Sequence, residues 1–259
     1  MGSLTIVGTG IRSVAQVTLE AKAHMQQADK LLYLVTDPVT RDWICGLNET
    51  AESLHDCYRD EEPRLRAYAR MTERIAAWVR KDLNVCVAFY GHPGVFVKPS
   101  HDAILQARQE GHRAEMLPGV SAEDCMFADL GFDPAVGGCQ SYEATDFLTR
   151  KPRFDTASHL ILWQVSVIAE GKFSSKGNYR KDGLAFLAEA LLEHYPPEHE
   201  VFLYTAALYS VCKPEIQRVP LSGLAKLSLS PTATLYVPPF GQRLADRAMV
   251  ERLGMEAAS

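Results

Sequence analysis

Three residues in this chain could move a proton off a weak acid. Arg64 and Tyr68 stand four apart in a stretch that reads as helix, so their side chains share one face. Tyr58 lies on the loop just upstream. A guanidinium beside phenols is expected to lower their pKa from about 10 and stabilise phenolate, making them usable as acid, base or anion stabiliser. The plain alternative is an ordinary helix face, with Tyr68 in the core stripe and Arg64 in solvent. Spacing alone favours that alternative.

A second group suits ligand binding. Tyr90-Gly91-His92-Pro93-Gly94-Val95-Phe96 follows the apolar run Val85 to Phe89, which has the character of a central strand. Ligands of open α/β sheets sit outside the carboxyl ends of strands, and two glycines and a proline give a fixed backbone path poor in side chains. A structural turn with Tyr90 and Phe96 packed explains the same residues, and composition does not separate the two. Pro118-Gly119-Val120-Ser121-Ala122-Glu123-Asp124 ends another strand and opens a helix, with Ser121 and Asp124 as a capping-box-like pair. Its amides could also hold the polar edge of a ligand.

Gly8-Thr9-Gly10 sits at a strand-to-helix junction, but the dinucleotide fingerprint needs a third glycine where this chain has Ser13. Asp37 could be the acidic residue at the second strand's tip. A tight turn that lets two backbones approach is the better reading. His101 and His112 read as surface or capping residues, and Cys125 and Met126 as core. Asp60-Glu61-Glu62 has no His or Cys at ligand spacing, so it reads as a solvated turn and no metal is expected.

The elements that must position these groups alternate. Strands are expected at Leu4 to Val7, Lys30 to Val35, Val85 to Phe89 and 115–117. Helices are expected after Gly10 (Val14, Val17, Ala21, Met25), at 39–47, at 64–81 (Leu65, Tyr68, Met71, Ile75 and Trp78 or Val79 on one face) and at about 100–110. This alternation implies a parallel sheet. Helix 121–130, helix 143–149, strand 159–165, helix 184–195 and strands 200–206 and 233–237 follow. Residues 49–63 read as irregular and 170–183 (EGKFSSKGNYRKDG) as a mobile loop. The expected fold is two α/β domains, 1–118 and 119–259, divided near Pro118-Gly119.

Composition narrows the function. The 259 residues are 47% hydrophobic, enough for a sizeable core without metals or disulfides. Twenty-seven Lys and Arg against thirty-two Asp and Glu give a net charge of -5, which argues against nucleic acid as the main partner. There is no apolar run of membrane-spanning length and no secretory signal pattern. The six scattered cysteines suit a reducing cytosol, so a cytoplasmic location is expected.

Taken in order, Gly8-Thr9-Gly10, Tyr90-Gly91-His92-Pro93-Gly94 and Pro118-Gly119-Val120-Ser121-Ala122 resemble the tetrapyrrole-methylase fold, whose members use S-adenosylmethionine. The stretches GSLTIVGTGI (2–11), YGHPGVFVKPSH (90–101), LPGVSAEDCMFADLGFDP (117–134) and YEATDFL (142–148) narrow the likeness to the borosin peptide backbone α-N-methyltransferases of the omphalotin-precursor type. The resemblance runs over essentially the whole chain. It implies a cofactor cleft between the two domains, with Tyr90, His92, Val95, Phe96, Ser121, Ala122, Gln164, Ala206, Ala233 and Thr234 holding S-adenosylmethionine and S-adenosylhomocysteine as product. It implies that Tyr58, Arg64 and Tyr68 are the catalytic trio, and that His55 stands where fungal members carry another active-site tyrosine.

Fungal relatives fuse a clasp segment and the substrate peptide to the enzyme. Here the sequence runs to Met255-Glu256-Ala257-Ala258-Ser259 with no apolar core peptide after the last strand, so a split form acting in trans on a separate precursor peptide is expected. The family forms intertwined homodimers, so a dimer is expected, or a heterotetramer with two precursor chains. Two rival functions fit the same fold: C-methylation of a precorrin-like tetrapyrrole, and a catalytically silent protein that binds S-adenosylmethionine and grips a peptide. The first rival calls for motif loops rich in Arg and Lys, which these are not, and the second leaves the trio unexplained.

Overall fold

The computed structural model describes residues 1–177, 180, 182–227 and 229–255. Asn178, Tyr179 and Lys181 of the expected loop, and residues 256–259 of the expected end, lie outside the described residues. Two compact units emerge. The first comprises Met1–Gly131, Ala169–Arg180 and Thr205–Glu215, and the second Phe132–Ile168, Lys181–Tyr204 and Ile216–Ser259. Pro118-Gly119, where the sequence reading put the division, lies inside the first unit.

The first unit is built on a parallel five-stranded sheet. Its strands are β1 (Ser3–Gly8), β2 (Lys30–Leu34), β3 (Glu52–Ser53), β4 (Asn84–Phe89) and β5 (Arg113–Met116), in the order β3-β2-β4-β1-β5. β4 is therefore central, as its uninterrupted apolar run requires. Val85, Val87 and Phe89 pack on one face with Met71, Ile75 and Val79 of α3 (Arg64–Val79) and Ala103 and Ile104 of α4 (Lys98–Gln109). Cys86 and Ala88 face Ala21 and Met25 of α1 (Leu19–Gln27) and Ile44 of α2 (Pro38–Leu47).

This strand order fixes where a ligand can sit. From β1 the chain passes through α1 on one face to β2, beyond β4. From β4 it passes through α4 on the other face to β5, beyond β1. The two connections leave the sheet in opposite directions, so the crevice at the carboxyl ends of β1 and β4 is the topological switch point. Gly8-Thr9-Gly10 and the 90–96 loop both begin there. The last helix of this unit, α5 (Ala122–Leu130), ends at Gly131 with φ 71°.

Two sequence expectations need adjustment here. Val14 and Val17 precede α1: Val14 has φ 60°, and Thr18 caps the helix, its side chain accepting from Ala21 N–H. Leu65 is 64% exposed, and the buried stripe of α3 runs through Ala67, Met71, Thr72, Ile75, Ala76 and Val79. Tyr68 lies beside that stripe, partly exposed.

The second unit carries a mixed sheet in the order β6-β7-β10-β8-β9: β6 (Cys139–Glu143), β7 (His159–Trp163), β8 (Glu200–Thr205), β9 (Glu215–Pro220) and β10 (Thr234–Val237). β6 and β7 are parallel, while β10 runs antiparallel to β7 and β8. One face packs Leu160, Leu162, Leu203 and Leu235 against Phe147 of α6 (Ala144–Arg150) and Leu187 and Leu191 of α7 (Gly183–Leu192). Phe132, His159 and Tyr236 stack elsewhere in this unit, with His159 Nδ1 2.7 Å from the Tyr236 hydroxyl. The terminal α8 (Arg247–Arg252) buries no residue.

Candidate active site

Three glycine loops make the floor of the switch-point crevice. Gly10 and Gly91 pair backbone to backbone, Gly91 N–H donating to Gly10 O at 3.0 Å. A Cβ on Gly8 would lie 2.2 Å from Gly91 O, and one on Gly119 would lie 3.2 Å from the same oxygen. The glycines at 8 and 10 thus serve close backbone approach. Asp37 has a local task as well. It caps α2, accepting from Val39 and Thr40 N–H at 3.0 Å each, and receives the Tyr209 hydroxyl at 3.2 Å. Burial pushes its pKa up, but these hydrogen bonds outweigh burial and hold the carboxyl below its ordinary range.

The 90–96 loop is rigid and displays apolar side chains. Gly94 N–H donates to His92 Nδ1 at 2.9 Å, which leaves the ring proton of the neutral imidazole on Nε2. His101 Nε2 lies 2.9 Å from Gly94 O, and Ser100 Oγ donates to Pro93 O. Phe96 is held at φ 55°, an uncommon conformation for an aromatic residue. Tyr90, Val95 and Phe96 are 38%, 36% and 49% exposed, an apolar rim open to a ligand. At Ser121 the expected capping box is present. Ser121 Oγ accepts from Glu123 and Asp124 N–H, and Asp124 Oδ2 accepts from Ser121 N–H at 2.7 Å. These amides are already engaged by the cap. Ala206 lies in the first unit, just after β8. Cys125 and Met126 are buried, and burial pushes the Cys125 thiol up, as fits core residues.

In the second unit, Gln164 follows β7 at φ 59°, in the left-handed region, while Ala233 and Thr234 are buried at the start of β10. A cavity of about 570 Å³ between α6 and α7 is lined by Phe147, Phe154, Lys151 and Arg153 among others, and none of the candidate residues forms its walls.

The phenol–guanidinium group is assembled on the first unit. Tyr58 and Tyr68 meet edge to face with ring centroids 6.3 Å apart, close enough for Tyr68 to act on the Tyr58 phenol. Arg64 is close enough for its charge to act on the Tyr58 phenol. The side chain of Arg64 is not in free solvent: its Nε donates to Lys172 O at 3.3 Å. The electrostatic result differs from the sequence expectation. Burial, then Tyr68, raise the Tyr58 pKa, and together they outweigh the lowering by Arg64, so the net shift is upward. Tyr58 rests as a neutral phenol.

The loop carrying Tyr58 is latched to α3. Arg70 Nε and Nη2 donate to Cys57 O at 2.9 and 2.6 Å, and Nη2 reaches Glu62 at 2.8 Å. Arg74 makes a two-pronged pair with Asp56 at 2.7 and 2.8 Å. The acidic run is more than a solvated turn, since Asp60 accepts from Ser175 N–H and Oγ.

Sequence reasoning missed Phe173. Its ring stacks on Tyr58 at 4.6 Å and 23°. The segment read as a mobile loop is tied down over 171–175. Glu61 N–H donates to Phe173 O, Phe173 N–H to Glu62 O, and Arg64 N–H to Gly171 O, at 2.9 to 3.0 Å. The available signal was a lone phenylalanine among polar residues. His55 is exposed, with its ring 5.8 Å from that of Tyr58.

Comparison with known proteins follows this geometry. Residues 3–221 match the family described as Tetrapyrrole (Corrin/Porphyrin) Methylases. The chain is 42% identical over 264 residues to the methyltransferase/ribosomally synthesized cyclic peptide gymnopeptides precursor of Gymnopus fusipes, covering 99% of this chain and 62% of that one. It is 41% identical over 256 residues to the methyltransferase/ribosomally synthesized cyclic peptide omphalotin A precursor of Omphalotus olearius, covering 97% and 61%. The chain thus spans about three fifths of the length of these curated relatives. In fold it is similar to uroporphyrin-III-C-methyltransferase from Thermus thermophilus, with TM-score 0.65, 21% identity and 92% of each chain covered. Diphthine synthase superposes with TM-score 0.57 at 14% identity, covering 92% of this chain and 90% of the other.

Proposed function

Because this chain belongs to the tetrapyrrole methylase family, we propose that it is a borosin-type enzyme that uses S-adenosylmethionine to N-methylate backbone amides of a precursor peptide, repeatedly and in trans. The observation that carries this reading is the Tyr58–Tyr68 pair with Arg64 beside it. The names of relatives at about 40% identity, which join a methyltransferase to a ribosomally made cyclic-peptide precursor, support it.

The chemistry explains the need for such a pair. An amide nitrogen is a poor nucleophile because its lone pair is shared with the carbonyl. Attack on an electrophilic methyl requires the N–H proton to leave and the carbonyl oxygen to carry negative charge. In our assignment Tyr58, having first released its own proton to solvent, takes that proton as phenolate. Tyr68, with Arg64, donates toward the developing imidate oxygen. The raised pKa of Tyr58 makes its phenolate a strong base once formed, and Arg64 reduces the cost of forming it.

The residues of the 90–96 loop fit a cofactor with an apolar face and polar edges, since exposed Tyr90, Val95 and Phe96 flank a backbone free of side chains at Gly91 and Gly94. With them, His92, Ser121, Ala122 and Ala206 of the first unit, and Gln164, Ala233 and Thr234 of the second, are assigned to S-adenosylmethionine. When bound, that cofactor supplies a sulfonium methyl as electrophile, and S-adenosylhomocysteine is left as product. A homodimer, or a heterotetramer with two precursor chains, belongs to the same proposal.

The test is co-expression with a separate precursor peptide. Wild type is expected to yield successive one-methyl mass increments, while Tyr58→Phe, Tyr68→Phe and Arg64→Lys yield none and still bind S-adenosylhomocysteine with near wild-type affinity. Full turnover in these variants would overturn the assignment. Methylation only when the peptide is fused to the chain would overturn the in-trans form.

A further inference from the structure

We propose that Phe173 is a positioning residue for Tyr58, and that the 171–175 segment is a strap whose pairing with 60–64 holds this ring over the phenol. The inference rests on the functional reading for its link to catalysis, but its physical content stands on contacts alone. The strap pairs with the 60–64 segment as a short antiparallel ladder: Pro63 and Lys172 form a β-bridge, flanked by the Phe173–Glu62 and Arg64–Gly171 backbone bonds. Asp60 closes one end by accepting from Ser175 N–H at 2.6 Å and from its hydroxyl at 2.7 Å. Arg64 Nε closes the other on Lys172 O. The same few residues thus fix the guanidinium and bring an aromatic ring to stack at 4.6 Å on Tyr58.

A flat ring against the Tyr58 face does two things. It restricts the swing of the phenol on the side that it covers. It also excludes water from one side of the ring, and loss of water is the largest influence on this phenol. Among the described residues, charged and titratable groups reach Tyr58 from α3 and from its own loop. Tyr68 and Arg64 come from α3, His55 and Cys57 from its own loop, and the strap adds the Lys172 carbonyl to Arg64 and Phe173 to the ring. Among the strap's described contacts, Phe173 is the side chain that touches the phenol ring directly.

The experiment is nitration by tetranitromethane near neutral pH, in the wild type and in Phe173→Ala, with modification of Tyr58 quantified by mass spectrometry after digestion. It uses neither cofactor nor substrate peptide, so it decides the proposal even if the chain methylates nothing. Phe173→Ala is expected to speed nitration of Tyr58 several-fold while the other tyrosines react as in the wild type, and Phe173→Tyr to restore the protection. In turnover, kcat should fall about tenfold while KM for the peptide stays near the wild-type value, because the base is no longer held in place. If Phe173→Ala does not fold, Phe173→Leu, which keeps bulk and loses the flat ring, carries the same measurement with a smaller increase. An unchanged Tyr58 nitration rate in a folded variant, whatever happens to thermal stability, would overturn the proposal.

Discussion

Arg70→Ala tests whether Tyr58 owes its position to the latch beneath it. Arg70 sends two N–H groups to the Cys57 carbonyl, at 2.9 and 2.6 Å, one residue before Tyr58. A hydrogen bond from a charged donor is worth about 1.5–3 kcal/mol net, and the variant leaves that carbonyl without its partner. The contact to Glu62 is open to solvent screening and is not counted. A loss of about 2 kcal/mol corresponds to a fall in Tm of roughly 4–8 °C for a chain of this size. The catalytic effect should be larger than the stability effect suggests. A displacement of about 1 Å at a reacting group costs on the order of 100-fold in rate. Thermal melts and methylation progress curves at saturating cofactor measure both, and Arg70→Lys, which keeps one donor, should fall between. S-adenosylhomocysteine affinity should not change, since Arg70 bonds to Cys57 and Glu62, neither of which is assigned to the cofactor. An Arg70→Ala protein with wild-type kcat and Tm would refute the reasoning.

The remaining predictions concern the scaffold. Gly8→Ala places a Cβ 2.2 Å from Gly91 O and 2.8 Å from Pro93 Cδ, so a melt should show a loss of at least about 1–3 kcal/mol, with binding of S-adenosylhomocysteine weakened in parallel. Ser121→Ala removes the oxygen that caps α5 and should cost about 0.5–2 kcal/mol by urea denaturation. Asp37 has a folded-state pKa below its unfolded one, so its contribution is fully present above the unfolded value and is lost as pH falls through the folded value. Asp37→Asn should therefore lower stability near neutral pH and flatten the acid limb of the stability profile, read by melts between pH 2 and 7 (roughly spanning the carboxylate range).

The elements legible in the sequence were those whose pattern reports burial. β1 and β4 read clearly because sheet neighbours and helices cover both faces, leaving continuous apolar runs. The capping box at Ser121 and the close approach of Gly8 are local chemistry, and local chemistry is what a sequence displays. β9 was missed because Glu215, Ile216, Arg218 and Pro220 are exposed and its composition is that of a loop. β3 is two residues long, and α8 buries nothing that would give it a stripe. The proximity of Tyr58, Arg64 and Tyr68 was legible in part, but the electrostatics around Tyr58 were not. An i, i+4 spacing shows that Arg64 and Tyr68 are neighbours and says nothing about water. The Tyr58 shift is dominated by burial, the ring stacked on it belongs to Phe173, more than a hundred positions along the chain, and no local pattern encodes that contact.

The most direct test of the account is tandem mass spectrometry of a precursor peptide co-expressed with this chain. The account predicts fragment ions that place each added methyl on a backbone nitrogen, present with the wild type and absent with Tyr58→Phe. Methyl groups carried on side chains or termini, or an unmodified peptide beside folded protein that binds S-adenosylmethionine, would contradict it.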